Sequence, residues 1–401
     1  MAGKRLDKNG RKLPDGVSQR PDGRYMARFT FQGKRYTLYD MQLSELKRKV
    51  NKKRYELENG LMEKSYSDLT VDQWFRKWMQ LYRTNGEYKF ATLQTQLASY
   101  DYYVKEYIGG MKLSDVRQIH VVELFHSLSA KGLSYNTICK ADSVISAMFR
   151  DAVANELVEK NPAAGAMKSI KKTSRKVKKA LSEDQQERFL RFVKGDKYYQ
   201  KYYSFYVVAF HTGMRVGELC GLTWDNVDFE RATIHVNKTL MSREDRINGG
   251  QKVVLNSPKT RKSDRNIPML PVVKNVLKQQ RENTKHIGAP EIDGISDFVF
   301  RSDREGNVLK PRSVYTMLRR IVGKMNEKEI EEAVREEREP ELLENFSPHE
   351  IRHTFTTRCF EKGMNPKVIS EILGHAGMQM TLGVYTHVSE DMKAVEMSLL
   401  G

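Results

Sequence analysis

Cysteine is scarce in this sequence, which has three in 401 residues. An odd number of cysteines this far apart provides neither a disulfide framework nor a C-x-x-C metal site. We therefore expect Cys139, Cys220 and Cys359 to be small buried hydrophobic residues. Long apolar runs are also lacking, because no stretch approaches the ~20 residues of a membrane span. The first residues, MAGKRLDKNG, have no apolar signal-peptide core. The sequence predicts a cytoplasmic protein with no membrane partner.

Walker and G-x-G-x-x-G loops do not occur in the sequence, so no motif supports ATP or dinucleotide chemistry. Acidic residues are outnumbered: 51 Asp and Glu face 69 Lys and Arg, giving a net charge of +18 and a pI of about 9.5. A protein this basic is expected to bind a polyanion, and nucleic acid is the first candidate. The length predicts two or three domains of roughly 100–200 residues each.

The sequence pattern of residues 1–65 predicts a small basic sheet with one helix. The β-type runs RYMARFTF and KRYTLY meet at Gln32-Gly33, which is a hairpin signal, and a helical segment follows and ends at Gly60. The region has 17 Lys and Arg against 8 Asp and Glu, so it carries +9 of the total +18. We expect it to grip a DNA backbone, with a solvated basic tail as the alternative. The candidate DNA contacts are Arg24, Arg28, Lys34 and Arg35.

Residues 67–165 predict a domain of four or five helices. Thr70 and Gln73 form a capping box, and apolar residues recur at spacings of three and four. A basic stretch without apolar periodicity occupies 166–180, and we interpret it as an interdomain linker that crosses a phosphate backbone. A plain flexible tether is the alternative. The candidate DNA contacts in this linker are Lys171, Lys172, Arg175, Lys176, Lys178 and Lys179.

Residues 181–401 predict a mainly helical domain with a small antiparallel sheet. Ser182 and Gln185 form a second capping box. The strand-like segments are ATIHVNKTL, QKVVLNS and DRNIPM, with SPKTRKS as a hairpin tip between the last two. The acidic stretch EKEIEEAVREEREPELLEN predicts a solvated helical insertion that faces away from DNA. The fold class is therefore multidomain α+β: a small three-stranded sheet plus helix, a helical domain, and this mixed domain.

The segment HEIRH at 349–353 fits the H-E-x-x-H pattern of zinc peptidases. On a helix, His349 and His353 would be two zinc ligands and Glu350 the general base. Arg352 would place a permanent cation beside the proposed dication, which is unfavourable. The extended zincin spacing would require histidine where the chain has Cys359, so a third ligand is weakly supported.

The same segment is also an H-x-x-R pattern at the start of a helix. Ser347 is suited to the N-cap, Pro348 to the first helical position, and Glu350 to the third position of a capping box. Helix N-termini favour anions, and Arg352 adds a bidentate donor suited to a phosphate. This interpretation predicts a phosphate site that includes His349.

Four segments together resemble the active site of the tyrosine recombinases, the phage-lambda-type integrase family. They are HTGMRVGELCGLTW (211–224), SPKTRKSDRNIPM (257–269), SPHEIRHTF (347–355) and LGHAGMQMTLGVYTHV (373–388). The helical domain resembles the family's core-site DNA-binding domain. The N-terminal sheet is similar to the arm-type DNA-binding domains of integrases from conjugative transposons of Gram-positive bacteria.

The resemblance implies a role for each matched residue and implies no metal or other cofactor. Arg215 and Arg352 would grip the scissile phosphate, and Lys259 would be the general acid for the leaving 5′ oxygen. His349 and His375 would hydrogen-bond the same phosphate and help to move protons. Tyr385 would be the nucleophile. Glu218 would orient Arg215, although a helix-surface position is an equal alternative.

The implied activity is an integrase that cuts and rejoins DNA through a 3′-phosphotyrosyl intermediate and so integrates and excises a mobile element. The implied partners are double-stranded DNA at element ends, target sites and arm-type sites, and three further copies of the chain in a homo-tetramer. Accessory excision or DNA-bending proteins are candidate partners. Two other classes stay open from the sequence: a DNA-binding protein without catalysis, and a zinc metallopeptidase.

Overall fold

The computed structural model describes residues 7–8, 10–11, 13–31, 33–58, 68–83, 88–172, 180–257, 263–285, 288, 290–302, 307–375, 377 and 379. The chain divides into two compact units, 1–173 and 174–401. Within the described ranges, no helix is both long and apolar enough to cross a membrane.

The first unit begins with an antiparallel sheet of three strands and one helix, as predicted. The elements are β1 (Val17–Gln19), β2 (Tyr25–Phe31), β3 (Lys34–Asp40) and α1 (Leu43–Glu58). The sheet buries Tyr25 and Ala27 against Leu46 of the helix. Residues directly opposite each other share a face, and Arg28 pairs with Thr37 while Arg35 pairs with Thr30. Both arginines therefore lie on the sheet face opposite this core.

Among the described residues, the helical part of the first unit has four long α-helices and one short one. They are α2 (Val71–Tyr82), α3 (Phe90–Tyr103), α4 (Lys105–Ile108), α5 (Gln118–Ala130) and α6 (Tyr135–Ala154). Trp74 and Trp78 share the buried face of α2, and their indole N–H groups donate to Met148 O (3.0 Å) and to Asp151 Oδ2 (2.7 Å) on α6. The Thr70 capping box is present. Burial in this core continues as far as Ile170.

The described part of the second unit contains seven α-helices, one of them a single turn, and five strands. The elements are α7 (Glu183–Gly195), α8 (Tyr203–Thr212), α9 (Val216–Cys220), β4 (Val227–Asp228), β5 (Thr233–Val236), β6 (Thr239–Glu244), β7 (Gln251–Asn256), β8 (Arg265–Pro268), α10 (Pro271–Thr284), α11 (Pro311–Arg335), α12 (Pro348–Glu361) and α13 (Pro366–Leu373). The Ser182 capping box is present. Cys220 and Cys359 are buried as predicted, whereas Cys139 in the first unit is half-buried.

The predicted pairing of QKVVLNS with DRNIPM is wrong. β7 pairs with β6, and β8 pairs with β5 in a separate sheet of order β4-β5-β8. The turn between β6 and β7 explains the difference, because Asp245 accepts hydrogen bonds from the backbone N–H of Ile247 and Asn248. Gly249 and Gly250 then supply positive φ angles of 81° and 79°. β7 and β8 therefore belong to two different sheets.

The acidic stretch is only partly the helical insertion that the sequence predicts. Its first half is the end of α11, which runs unbroken to Arg335. Its second half is extended and returns along α11, where Leu343 is buried and exchanges hydrogen bonds with Asn326 at 2.9 Å. Glu329 is held by Arg338 at 2.6 Å. Ion pairing and one buried leucine therefore fix a segment that composition alone describes as solvated.

Candidate active site

The loop from α8 to α9 fixes the backbone of Arg215. α8 ends at Gly213, whose φ of +61° lies in the left-handed region, and Arg215 is the N-cap of α9. The Arg215 backbone N–H donates to Glu218 Oε2 at 2.8 Å, while Arg215 Nη1 donates to Glu218 Oε1 at 2.7 Å. Glu218 therefore holds both ends of Arg215. Its exposure is only 4%, so it is a buried partner and not a helix-surface residue.

Arg352 ties the ends of two helices together. It lies on α12, is buried, and donates from Nη1 to Gly213 O at 2.8 Å and from Nη2 to Leu373 O at 2.7 Å. These acceptors are carbonyls at the C-termini of α8 and α13, where the helix dipole is negative. The guanidinium thereby satisfies carbonyl groups that have no partner within their own helix.

Three consecutive carbonyls at the end of α13 each accept a hydrogen bond from a different arginine. The pairs are Ile372 O with Arg265 Nε, Leu373 O with Arg352 Nη2, and Gly374 O with Arg215 Nη2. Gly374 is the C-cap with φ of +63°, and His375 follows it directly. The three arginines therefore set the position of the backbone that carries His375.

Arg265 completes the cluster and was not predicted from the sequence. It lies on β8 and is buried, and it donates from Nη2 to Glu218 Oε2 at 2.9 Å and from Nη1 to Glu218 Oε1 at 3.3 Å. The available signal was alternation in RNIP, which places Arg265 on the same inward face as Ile267. An arginine at an inward strand position requires a buried partner, but the partner's identity depends on tertiary structure.

The protonation states follow from burial among like charges. Burial, together with the Arg215 cation, lowers the pKa of Arg352 to about 9, so this guanidinium stays protonated at neutral pH. Burial and the Arg352 and Arg215 cations lower the pKa of His375 to about 4, so its imidazole is neutral. Burial opposes ionisation of Glu218, but its bonds and charge interactions with Arg265 and Arg215 hold the pKa below its ordinary value.

Of the six residues proposed for catalysis, the structure describes four. Arg215, Arg352 and His375 belong to the cluster around the end of α13. His349 is exposed in the first turn of α12, and its interaction with His375 is one of those that lower the pKa of His375. Lys259 and Tyr385 lie outside the described residues. With three guanidinium groups and one carboxylate, the cluster has a net charge of +2 while His375 is neutral, which suits it to an anion.

In the HEIRH segment, Glu350 caps the start of α12 as predicted. Glu350 Oε2 accepts from the Ser347 backbone N–H at 2.7 Å. His353 lies 3.3 Å from the Thr357 hydroxyl through its Nδ1. Across the described ranges, no group of three or more His, Cys, Asp or Glu side chains is arranged to hold a metal. The carboxylate that a peptidase would use as base is thus engaged by the helix N-terminus.

The predicted DNA contacts are only partly described. Arg24, Arg28 and Arg35 are exposed on the N-terminal sheet and the turn before it, and Lys171 and Lys172 are exposed after the helical core. Arg24 forms an ion pair of 2.7 Å with Asp22. The Lys34 side chain lies outside the described residues, as do Arg175, Lys176, Lys178 and Lys179. These residues remain predictions.

Comparison with known proteins gives the class of this chain. The transposase from transposon Tn916 of Enterococcus faecalis is 29% identical over 415 residues, which cover 100% of this chain and 97% of that protein. The tyrosine recombinase XerC-like protein of Caldanaerobacter subterraneus subsp. tengcongensis is 26% identical, covering 86% of this chain and 87% of that protein. The structure of the Tn1549 transposon integrase in complex with transposon right end DNA is similar with a TM-score of 0.70 and 31% identity, over 83% of this chain and 99% of that chain. The lambda integrase dimer shares the fold, with a TM-score of 0.53 and 17% identity, over 95% of this chain and 98% of that chain.

These similarities, with the arginine cluster, define a DNA-cleaving and rejoining tyrosine recombinase. The model of the phage integrase family matches residues 179–392, which is more than half of the sequence, so the chain belongs to the phage integrase family. Within that family it is an integrase of the conjugative-transposon type. The recombinase interpretation is thereby confirmed over the peptidase and over the non-catalytic DNA binder.

Proposed function

We propose that this integrase cuts and rejoins DNA at the ends of a mobile element and at its target sites, with Tyr385 as the nucleophile. The observation that carries the proposal is the buried cluster at the end of α13, where Arg215, Arg352 and neutral His375 converge. The cluster belongs to the part of the chain that matches the phage integrase family.

In the proposed reaction, the Tyr385 oxygen attacks the scissile phosphorus while the bond to the 5′ oxygen breaks. Lys259 gives a proton to that leaving oxygen. In-line attack builds negative charge on the non-bridging oxygens, which Arg215 and Arg352 stabilise without a metal. A tyrosine has a pKa of about 10 and needs such a cationic pocket to react as the phenolate. The ester stored on the protein lets the strand be rejoined without ATP.

His375 and His349 would bind the phosphate and move protons. A neutral imidazole has one N–H donor and one acceptor, so His375 can donate to a phosphate oxygen or accept a proton. A bound phosphate adds negative charge beside the cluster and raises the pKa of His375 above its value in the free protein. In acidic solution, near this pKa, binding of DNA is therefore expected to be coupled to proton uptake at His375.

The domain organisation and partners belong to the same proposal. Residues 1–65 bind arm-type sites, 67–165 bind core sites, 166–180 form the basic linker, and 181–401 form the catalytic domain with its C-terminal helix. A tetramer on two DNA sites performs two sequential strand exchanges in the bacterial cytoplasm, with accessory excision or DNA-bending proteins as candidate partners. Relatives solved on transposon end and circular intermediate DNA support the choice of DNA partners.

The test uses a nicked duplex that contains the element end, because loss of the short fragment beside the nick traps the covalent adduct. In EDTA, the wild-type chain is expected to form an adduct that survives denaturing electrophoresis, and the Tyr385→Phe variant is expected to form none. Both proteins should bind the uncut duplex equally in a gel-shift assay.

Each alternative function predicts a different result in this assay. Binding without any wild-type adduct would identify a DNA-binding protein that lacks catalysis. An activity that disappears only in EDTA would support a metal-dependent hydrolase. An adduct that persists in Tyr385→Phe would show that another residue is the nucleophile.

A further inference from the structure

Arg265 is a buried arginine in the middle of the cluster that the proposed mechanism does not use. We propose that it is a positioning residue for strand cleavage, which holds Glu218 and the end of α13 so that Arg215 and His375 face the scissile phosphate. This inference rests on the proposed function.

The sheet register explains why Arg265 points into the unit. β8 pairs with β5, with Arg265 opposite Val236 and Ile267 opposite Ile234. Arg265 and Ile267 are buried, while the residues between and after them are exposed. Arg265 therefore occupies a position that the alternation of the strand assigns to an apolar side chain. Burying a guanidinium there is unfavourable unless a carboxylate and further acceptors surround it.

The acceptors around Arg265 satisfy this requirement almost completely. Glu218 accepts from both terminal nitrogens, Ile372 O accepts from Nε, and Ser263 O accepts from Nη1 at 3.2 Å. These four bonds occupy most of the N–H donors of an arginine. Few donors are left for a phosphate oxygen, so Arg265 acts through its neighbours and not on the DNA directly.

Two neighbours of Arg265, Glu218 and Ile372, fix the positions of the catalytic residues Arg215 and His375. Glu218 holds the backbone and the Nη1 of Arg215. Ile372 is three positions before His375, at the helix end whose next two carbonyls are bound by Arg352 and Arg215. Loss of Arg265 therefore frees Glu218 to move and leaves one carbonyl of the cap without its donor. Both changes displace groups that the reaction requires within fractions of an ångström.

Arg265 also contributes charge to the site. After burial, the groups that lower the pKa of His375 are, in order, Arg352, Arg215, Arg265 and His349. The carboxylate of Glu218 is the opposing charge within the cluster. Removal of the Arg265 cation is therefore expected to raise the pH at which His375 takes up a proton.

The experiment measures single-turnover adduct formation on the nicked duplex with saturating protein, from pH 5 to pH 9. The variants are Arg265→Gln, Arg265→Lys, Glu218→Gln and the double variant Arg265→Gln with Glu218→Gln. DNA affinity and thermal stability are measured for each. We expect Arg265→Gln to slow adduct formation by about 10- to 100-fold with DNA affinity changed by less than about 2-fold.

Three features separate positioning from a general structural role. Arg265→Lys keeps the charge but not the fork, so it should restore the wild-type pH profile and only part of the rate. Arg265→Gln should shift the acid limb of that profile to higher pH. The double variant should be no slower than the slower single variant, because the two side chains act as one unit.

Arg301→Gln is the matched control. Arg301 is a half-buried arginine of the second unit that, like Arg265, binds carbonyls and a carboxylate: it donates to Phe298 O at 3.1 Å and Thr284 O at 3.3 Å and lies 3.9 Å from Asp297 Oδ1. It should lose thermal stability but keep the wild-type rate per folded molecule and the wild-type pH profile.

The outcomes distinguish this inference from the proposed function. If the wild-type chain forms no adduct, the proposed function fails. If it forms one and Arg265→Gln behaves like Arg301→Gln, with only stability reduced, the positioning role is overturned. It is also overturned if Arg265→Gln weakens DNA binding tenfold or more at an unchanged saturated rate, because that result identifies a direct phosphate ligand.

Discussion

Glu218 is a carboxylate buried among guanidinium groups, and its ionisation links stability to pH. Its pKa is held below the ordinary value of 4.5, so its stabilising effect is full above that pH and is lost as pH falls through the lowered pKa. We expect Glu218→Gln to lower the free energy of unfolding at pH 7 by about 3–5 kcal/mol, because two buried arginines lose their counter-charge. Calorimetry at pH 7 and below pH 4.5 measures the difference from wild type.

The difference between the two proteins should shrink as the solution becomes more acidic. A protonated glutamate and a glutamine are both neutral and similar in shape, so the wild type approaches the variant once Glu218 is protonated. A gap that stays constant across this range would show that the charge of Glu218 does not stabilise the fold.

At the residue scale, short motifs predicted most of the site that the structure brings together. The resemblance to the tyrosine recombinases implied Arg215 and offered Glu218, one helical turn later, as its partner, whereas local spacing predicted the capping role of Glu350. Arg265 could not be found in this way. Its partners are 47 and 107 positions away, and strand pairing that local sequence does not encode brings them together.

At the element scale, helices were predictable and strand partners were not. Helix ends are encoded locally by caps such as Ser182 and Thr70, so α2 and α7 begin where the sequence indicates. Which strand β7 pairs with depends on the turn that joins it to its neighbour, and the Asp245 turn places β7 beside β6. The sequence did not predict that α11 is one continuous helix, because its acidic end carries few apolar residues, although Ala333 there is buried.

The end of α8 is the element whose geometry most constrains the site. Gly213 has a positive φ, its carbonyl accepts from Arg352, and a Cβ at this position would collide with the Phe355 ring and lie 2.9 Å from Leu373. We expect Gly213→Ala to reduce the free energy of unfolding by about 2–5 kcal/mol, as left-handed strain and overpacking combine. Urea denaturation gives this value, and adduct formation should slow because the acceptor of Arg352 moves.

Gly363→Ala separates the strain from the collision. Gly363 follows α12 with a φ of +70°, and a Cβ there would meet no atom within 4 Å. Its substitution should cost only the left-handed strain, about 1–2 kcal/mol, and leave the rate of adduct formation unchanged. Equal losses in the two variants would mean that packing around Gly213 is looser than this geometry implies.

At the scale of the whole molecule, charge is distributed unevenly between the parts of the chain. The first 65 residues carry +9 of the net +18, while the end of α11 and the segment after it are rich in glutamate. Such asymmetry allows long-range electrostatic attraction of a polyanion, and the strength of this attraction depends on the salt concentration. The salt dependence of DNA binding therefore reports which basic residues lie on phosphates.

We expect the combined substitution of Arg24, Arg28 and Arg35 by glutamine to weaken the salt dependence of binding to DNA that contains arm-type sites. Each phosphate contact contributes about 0.9 to the slope of log K against log salt, so the loss of these three should reduce its magnitude by about 2.7. Fluorescence anisotropy between 50 and 300 mM salt measures the slope. In the matched control, glutamine replaces Lys324, Lys328 and Arg335, which are exposed on α11 among glutamates. This variant should leave the slope unchanged. Equal changes in both variants would mean that net charge, and not contact by the N-terminal sheet, governs binding to these sites.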